Sequence, residues 1–225
     1  MHFDPSPIWI SLKTSFTATA LSLVLGVGAA QWRERRKRSF WLAFDGVCLL
    51  PMVLPPTVVG FFLLLLFGRE GPLGKLLLHV GAMVIFSWPA TVLAATVVSF
   101  PLVYVTARGA LAQVDTGLLD AARTLGASEW RVFRRVALPL AAPGIFAGAT
   151  LAFARALGEF GATLMIAGNI PGRTQTLPVA IYFDIEAGQM RDAFGAVMVV
   201  LAITAGVLTA LAFWARGQRQ ASQRG

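Results

Sequence analysis

Arg155 and Glu159 stand four residues apart in Phe153-Ala154-Arg155-Ala156-Leu157-Gly158-Glu159-Phe160-Gly161-Ala162, within a run that is otherwise apolar. On a helix this spacing puts both on one face, where each charge neutralises the other. A lone Arg or Asp at the centre of a membrane helix costs about 2.5 to 3.5 kcal/mol on insertion scales, and Glu is expected to be comparably unwelcome, so both side chains should face a protein interior. Two roles fit: an ion pair that fixes helix packing, or charges on a pathway or gate. Acid–base catalysis by Glu159 is a third, but the surrounding sequence offers it neither a nucleophile–base pair nor a His/Asp metal cluster. No catalytic residue and no metal site is therefore expected.

A second polar stretch, residues 108–139, lies between two long apolar runs and reads LLDAARTLGASEWRVFRRVALPL at its centre. Asp115 or Thr116 can cap a helix that covers Leu118, Leu119, Ala121, Ala122 and Leu125, with Gly126 ending it in a left-handed conformation. Such a helix is about ten residues, or roughly 15 Å, long. Ser128 then caps a second helix with Val132, Phe133 and Val136 on one side and Arg131, Arg134 and Arg135 on another, until Pro139 begins the next apolar run. From these residues alone two readings stand side by side. The segment is either a docking handle, with Ala121 and Ala122 offering a close-fitting surface to a partner protein, or an interfacial hairpin that anchors the loop to headgroups.

The loop Gly68-Arg69-Glu70-Gly71-Pro72-Leu73-Gly74-Lys75-Leu76 superficially resembles a phosphate-binding loop. A P-loop needs a glycine where Arg69 stands and a Ser or Thr where Leu76 stands, so the pattern fails. The chain has no visible means of binding ATP. Cys48 reads as a packed apolar thiol, and His2 and His79 are isolated.

Membrane helices carry these residues. Of the 225 residues 56% are hydrophobic and 13% charged, with mean hydropathy +0.70, an excess over the apolar share of globular proteins. Five segments reach the roughly 20 apolar residues a bilayer requires, at about 8–30, 44–67, 80–106, 138–167 and 194–215. They make one transmembrane domain over 1–225, all-α, with 108–137 as a polar segment between the third and fourth spans. Pro55 and Pro56 predict a kink or break in the second span, either a packing device or part of a pathway, since freed carbonyls must find protein or a wet cavity. Pro89 and Pro101 bend the third. Gly144 and Gly148 form a GxxxG step suited to close approach by a neighbouring helix or a second copy.

The net charge of +8 raises nucleic acid as a partner, and the placement of the charges excludes it. Arg33, Arg35, Arg36, Lys37 and Arg38, then Arg108, Arg123, Arg131, Arg134 and Arg135, then Arg216, Arg219 and Arg224 fall on one side of the five spans. Lys13, Arg69, Lys75, Arg173 and Arg191 fall on the other. The positive-inside rule makes the first side cytoplasmic, with the amino terminus outside and the carboxyl terminus inside. The start lacks a basic n-region and reads as an uncleaved first helix.

Asp120-Ala121-Ala122, Gly126 and Leu138-Pro139, at this spacing, resemble the EAA motif of permease subunits in ABC importers, with Asp where that motif has Glu. The resemblance implies a type I ABC importer permease fold whose first short cytoplasmic helix is a coupling helix. Asp120, Ala121, Ala122, Arg123 and Gly126 would dock on an ATPase subunit, and Leu138 with Pro139 would fix the loop to the fourth span. Residues 50–60, 121–127 and 153–162, continuing to Gly168-Asn169-Ile170-Pro171-Gly172, are similar to molybdate permeases over nearly the whole chain. Sulfate permeases are similar in the same places and usually longer. What this implies is import of molybdate, or of tungstate, across the bacterial inner membrane. Two copies would form the pore, two cytoplasmic subunits would carry ATP and Mg, and a periplasmic oxyanion-binding protein would deliver the cargo. Pro55, Pro56, Arg155, Glu159 and Gly161 become candidates for a pathway or gate. Sulfate or thiosulfate import is the alternative within the class. An ATP-independent carrier is the alternative outside it, although the sequence has no matching inverted halves.

Overall fold

The computed structural model describes residues 4–34 and 41–222, with residues 34, 208 and 210–222 described by backbone alone. Arg35, Arg36, Lys37, Arg38, Arg224 and His2 lie outside the described residues, and Arg216 and Arg219 within the backbone-only part.

The first helix, α1 (Ser6–Glu34), starts where Asp4 Oδ1 accepts the Ser6 N–H at 2.8 Å, satisfying a donor that the helix itself cannot. It packs along α5 (Trp88–Ala112), the most enclosed helix of the bundle, through a seam of hydroxyls. Thr14 and Thr91 share a hydrogen bond of 3.0 Å, Ser22 and Ser99 one of 2.9 Å, and Trp88 Nε1 donates to Thr14 Oγ1 at 3.1 Å. Small residues close the remaining distance: a Cβ on Gly26 would come within 2.9 Å of Val103. α5 also meets α8 (Leu138–Leu157), with Gly144 against Ala110 and Gly148 against Thr106, and α1 and α8 touch each other beside it. The GxxxG step is thus occupied by a neighbour within the same chain.

Around this three-helix centre the second apolar run is broken. It forms α2 (Trp41–Val53) and α3 (Pro56–Phe67), bent by 113° at Leu54-Pro55, so 44–67 is not one straight span. Pro55 and Pro56 cannot donate backbone N–H groups, and Pro56 instead opens the new helix. A short helix, α4 (Pro72–His79), follows, with Gly74 against the Gly68 carbonyl, so the glycine of the false P-loop serves close backbone packing. Residues 80–87 form a turn with Gly81 at φ 71° and Phe86 at φ 55°, and the third span is therefore Trp88–Ala112 and not 80–106.

The polar segment contains α6 (Thr116–Thr124) and α7 (Glu129–Val132). α7 runs through a widened π-type turn at Phe133–Ala137 straight into α8, giving a continuous helical stretch Glu129–Leu157. This corrects the expected pair of separate short helices: the second belongs to the fourth span, and Pro139 lies inside that span, not at its start. The π-type turn gives the physical reason, because a proline forfeits one rung of the ladder and crowds the carbonyl four residues back, and a widened turn just before it accommodates both. The expected span 138–167 also ends early, at Leu157, and the chain restarts as α9 (Gly161–Ala167). α10 (Leu177–Glu186) is tied to α1 by Leu177 N–H donating to Ser11 Oγ at 2.7 Å, and α11 (Met190–Ser222) closes the chain. Among the described residues four helical stretches are long and apolar enough to cross a membrane, and the bent α2–α3 pair makes a fifth if counted as one span.

Candidate functional site

The handle at α6 is built from local chemistry. Asp115 Oδ1 accepts the Gly117 N–H at 2.8 Å and caps the helix. At the other end Gly126, at φ 80°, donates to the Arg123 carbonyl at 2.9 Å, and Ala127 donates to the Ala122 carbonyl at 3.1 Å. These paired bonds satisfy the last carbonyls and end the helix in the left-handed conformation expected of Gly126. No residue of α6 is buried, and Leu118 and Leu125 are exposed, so the helix stands off an apolar body like a handle. Leu119 alone turns inward, against the cluster formed by Tyr104, Leu111 and Phe133.

The polar residues of the handle are already engaged with one another. Arg123 Nη1 lies 2.6 Å from Asp120 Oδ1, and its Nε lies 2.8 Å from Glu129 Oε1. The Glu129 carboxylate, and Asp120 after it, push the guanidinium further above its ordinary value and keep it charged. Arg123 therefore staples α6 to the start of α7 across the glycine turn. Ala121 is exposed and Ala122 half-buried. Ser128 sits at the α7 start without a capping side-chain bond, which the sequence had led us to expect; the Val132 N–H instead reaches the Ser128 carbonyl at 2.9 Å. Leu138 packs into the same cluster as Leu119, so handle and fourth span share a core.

The interior candidates come together at two broken helices. Gly161, first residue of α9, lies where a Cβ would come within 3.1 Å of Thr57 and 3.3 Å of Pro56. Gly60 is closer still, its would-be Cβ 2.8 Å from Ala162 Cα and Met165 Cβ. The break in α2–α3 thus nests against the break between α8 and α9. Glu159 is 2% exposed. Its Oε1 accepts the Ala162 N–H at 2.8 Å, satisfying an orphan donor of α9, and its Oε2 lies 2.8 Å from Arg155 Nη1. The latter contact is an ion pair whose angle falls short of a hydrogen bond, and it leaves Oε2 without one. Chemically the arrangement is a charge-neutralised joint and contains no nucleophile. Next to it, the Phe86 N–H donates to the Ile166 carbonyl at 2.9 Å, fastening the 80–87 turn to α9.

A further cluster joins residues that the sequence does not mark as a group. Asp45, on α2 and 8% exposed, takes Arg33 Nε at 3.1 and 3.2 Å, Arg108 Nη1 at 2.9 Å and the Tyr104 hydroxyl. In the sequence Arg33 and Arg108 read only as two of the basic residues on one side of the spans. The available signal was an aspartate at the edge of an apolar run, which demands a cation.

Residues 22–218 match the family described as binding-protein-dependent transport system inner membrane component. The chain is 42% identical over 200 residues to the putative molybdenum transport system permease protein YvgM of Bacillus subtilis (strain 168), covering 88% of each. It is 48% identical over 180 residues to the molybdenum transport system permease protein ModB of Escherichia coli (strain K12), covering 80% of this chain and 79% of that one. Its fold is similar to a chain of the MetNI methionine ABC transporter in an inward-facing conformation, with TM-score 0.71 at 18% identity over 94% of both chains.

Proposed function

The chain belongs to the binding-protein-dependent transport system inner membrane component family, and from that premise we propose that it is the permease subunit of an ABC importer for molybdate. It resides in the inner membrane and carries the oxyanion into the cytoplasm, driven by a partner ATPase. The observation that carries the coupling role is α6: a helix with no buried residue, capped at both ends, projecting from an apolar body.

In this reading two copies of the chain line the pore, with the amino terminus outside and the carboxyl terminus inside, and the bent α2–α3 pair counts as the second of five spans. ATP and Mg sit on the two partner ATPase subunits, and a periplasmic binding protein supplies molybdate or tungstate. Closure of the ATPases displaces α6. The Arg123 staple and the shared core of Leu119 and Leu138 pass the displacement to α5 and α8, because packed interiors move as bodies and do not deform continuously. At its far end α8 carries Arg155 and Glu159, which hold α9 against Pro56, Thr57 and Gly60 of α3. That joint is the gate-bearing region, with Pro55, Pro56 and Gly161 as its close-packed hinge.

Reconstitution into proteoliposomes with the copurifying ATPase and binding protein tests the reading, using labelled molybdate with tungstate and sulfate as competitors. ATP-dependent molybdate uptake that sulfate does not displace is the expected outcome. Uptake driven by an ion gradient without any ATPase would place the chain among secondary carriers.

A further inference from the structure

Where α1 ends and α7 passes into α8, the two elements leave an apolar groove of about 610 Å³, within the range of roughly 300–1,000 Å³ of small-ligand clefts. Val24, Gly28, Trp32, Trp130, Phe133 and Leu138 form its walls, with Gln31 adding a polar side chain. Val24 is 74% exposed and Trp130 63%. The segment that supplies Trp130, Phe133 and Leu138 also carries Arg131, Arg134 and Arg135, all exposed and without an ion pair among the described residues. Arg134 stands four residues from both Trp130 and Leu138, beside the groove. Arg33, next to Trp32, is held by Asp45 and is not available.

We propose that this groove is a binding site for an anionic phospholipid, the acyl chain lying between α1 and α8 and the phosphate engaging Arg131, Arg134 and Arg135. Three features choose this occupant. The walls are hydrocarbon, matching an acyl chain. The two tryptophans mark the level where a membrane meets water. The three exposed arginines on the segment that supplies one wall have no ion pair among the described residues, and guanidinium groups bind phosphate through charge-assisted hydrogen bonds. A second copy laid on the same face would bring three arginines against three arginines, since a two-fold contact pairs a surface with itself.

The test is native mass spectrometry of the full chain purified with its partners and incubated with phosphatidylglycerol or phosphatidylcholine of matched chains. The wild type should retain phosphatidylglycerol roughly tenfold more than phosphatidylcholine. R131Q/R134Q/R135Q should bring phosphatidylglycerol down to the phosphatidylcholine level. Gly28→Leu should lose both, because a Cβ at Gly28 meets nothing within 4 Å and a larger side chain fills the groove without disturbing α1. Gly28→Ala should retain lipid as the wild type does. Equal retention of the two lipids by the wild type, or unchanged retention by Gly28→Leu, overturns the proposal. So does loss of ATPase subunits from the triple variant with its lipid preference intact, which would assign the arginines to the ATPase, and so does loss of dimers from Gly28→Leu with lipid retained.

Discussion

Arg108 Nη1 lies 2.9 Å from Asp45 Oδ2, which ties the helix leading into the exposed handle to the helix that breaks at Pro55. The same carboxylate holds Arg33 at the end of α1 and accepts the Tyr104 hydroxyl, so one buried aspartate fixes the ends of α1, α2 and α5 at the side that carries α6.

Removing that carboxylate should leave two arginines without their anion. Loss of one partner of a buried pair costs about 3–5 kcal/mol, and because the Arg108 side chain is 38% exposed the lower end, about 3 kcal/mol, is expected. Asp45→Ala should lower the thermal unfolding midpoint of the purified protein accordingly. Tyr104→Phe removes one hydrogen bond and should cost about 1 kcal/mol. Equal midpoints for Asp45→Ala and the wild type would show that the cluster contributes nothing to stability.

Gly126 adopts φ 80°, where a β-branched side chain is strained by about 1–3 kcal/mol. Gly126→Val should therefore unravel the end of α6, release the Ala127-to-Ala122 bond and reduce ATP-dependent uptake at least tenfold. Wild-type uptake with full ATPase association in this variant would refute the docking role of α6.

Glu159 has two duties that substitutions can separate. Glu159→Gln keeps an acceptor for the Ala162 N–H but surrenders the charge opposite Arg155, whereas Glu159→Ala loses both. Uptake and folded yield should fall in the order wild type, Gln, Ala, and Arg155→Met should rescue part of the loss in the Gln variant by removing the unpaired cation. A Gln variant no better than Ala would remove the capping role.

The contact of α3 with α9 admits no added atoms. Gly60→Val should overpack it, at a cost of about 1–3 kcal/mol, and slow uptake more than it weakens ATPase association. Association lost in parallel with uptake would point to general misfolding in place of a local joint.

Asp184, half-buried on α10, is held above the ordinary carboxylate range by desolvation first and by the nearby Asp192 charge second. A raised folded-state value means that the folded chain binds this proton more tightly than the unfolded chain. Its contribution to stability is full below the unfolded value near 4 and is lost as pH rises through the folded value. Asp184→Asn should thus raise the unfolding midpoint at neutral pH and flatten its pH dependence above about pH 4. A lower midpoint at pH 7 would contradict the assignment.

What the sequence disclosed follows the range of the forces involved. α6 was legible because its stops are local: Asp115 at one end and Gly126 at the other set its limits without outside help. The break at Pro55 was legible because proline acts on its own backbone. The merging of α7 into α8 was not, since it depends on a π-type turn held by Phe133, Ala137 and Leu138 packing against Tyr104 and Leu111, residues distant in the chain. The role of Asp45 was hidden for the same reason, as its cations sit at the ends of two other helices. Arg155 and Glu159 were visible as a pair from their spacing, whereas the α9 cap by Glu159 appears only once the chain is seen to break at Gly158.

In the proposed function α6 transmits the work of a partner ATPase to molybdate movement through this chain. The most direct test of this coupling is labelled molybdate uptake into proteoliposomes containing the permease, ATPase and binding protein, measured for the wild type and for Gly126→Val. ATP-dependent accumulation by the wild type and loss of accumulation in the variant are expected, with both proteins inserted equally. Molybdate accumulation by the variant at the wild-type rate, or by the wild type without ATP, would contradict this coupling.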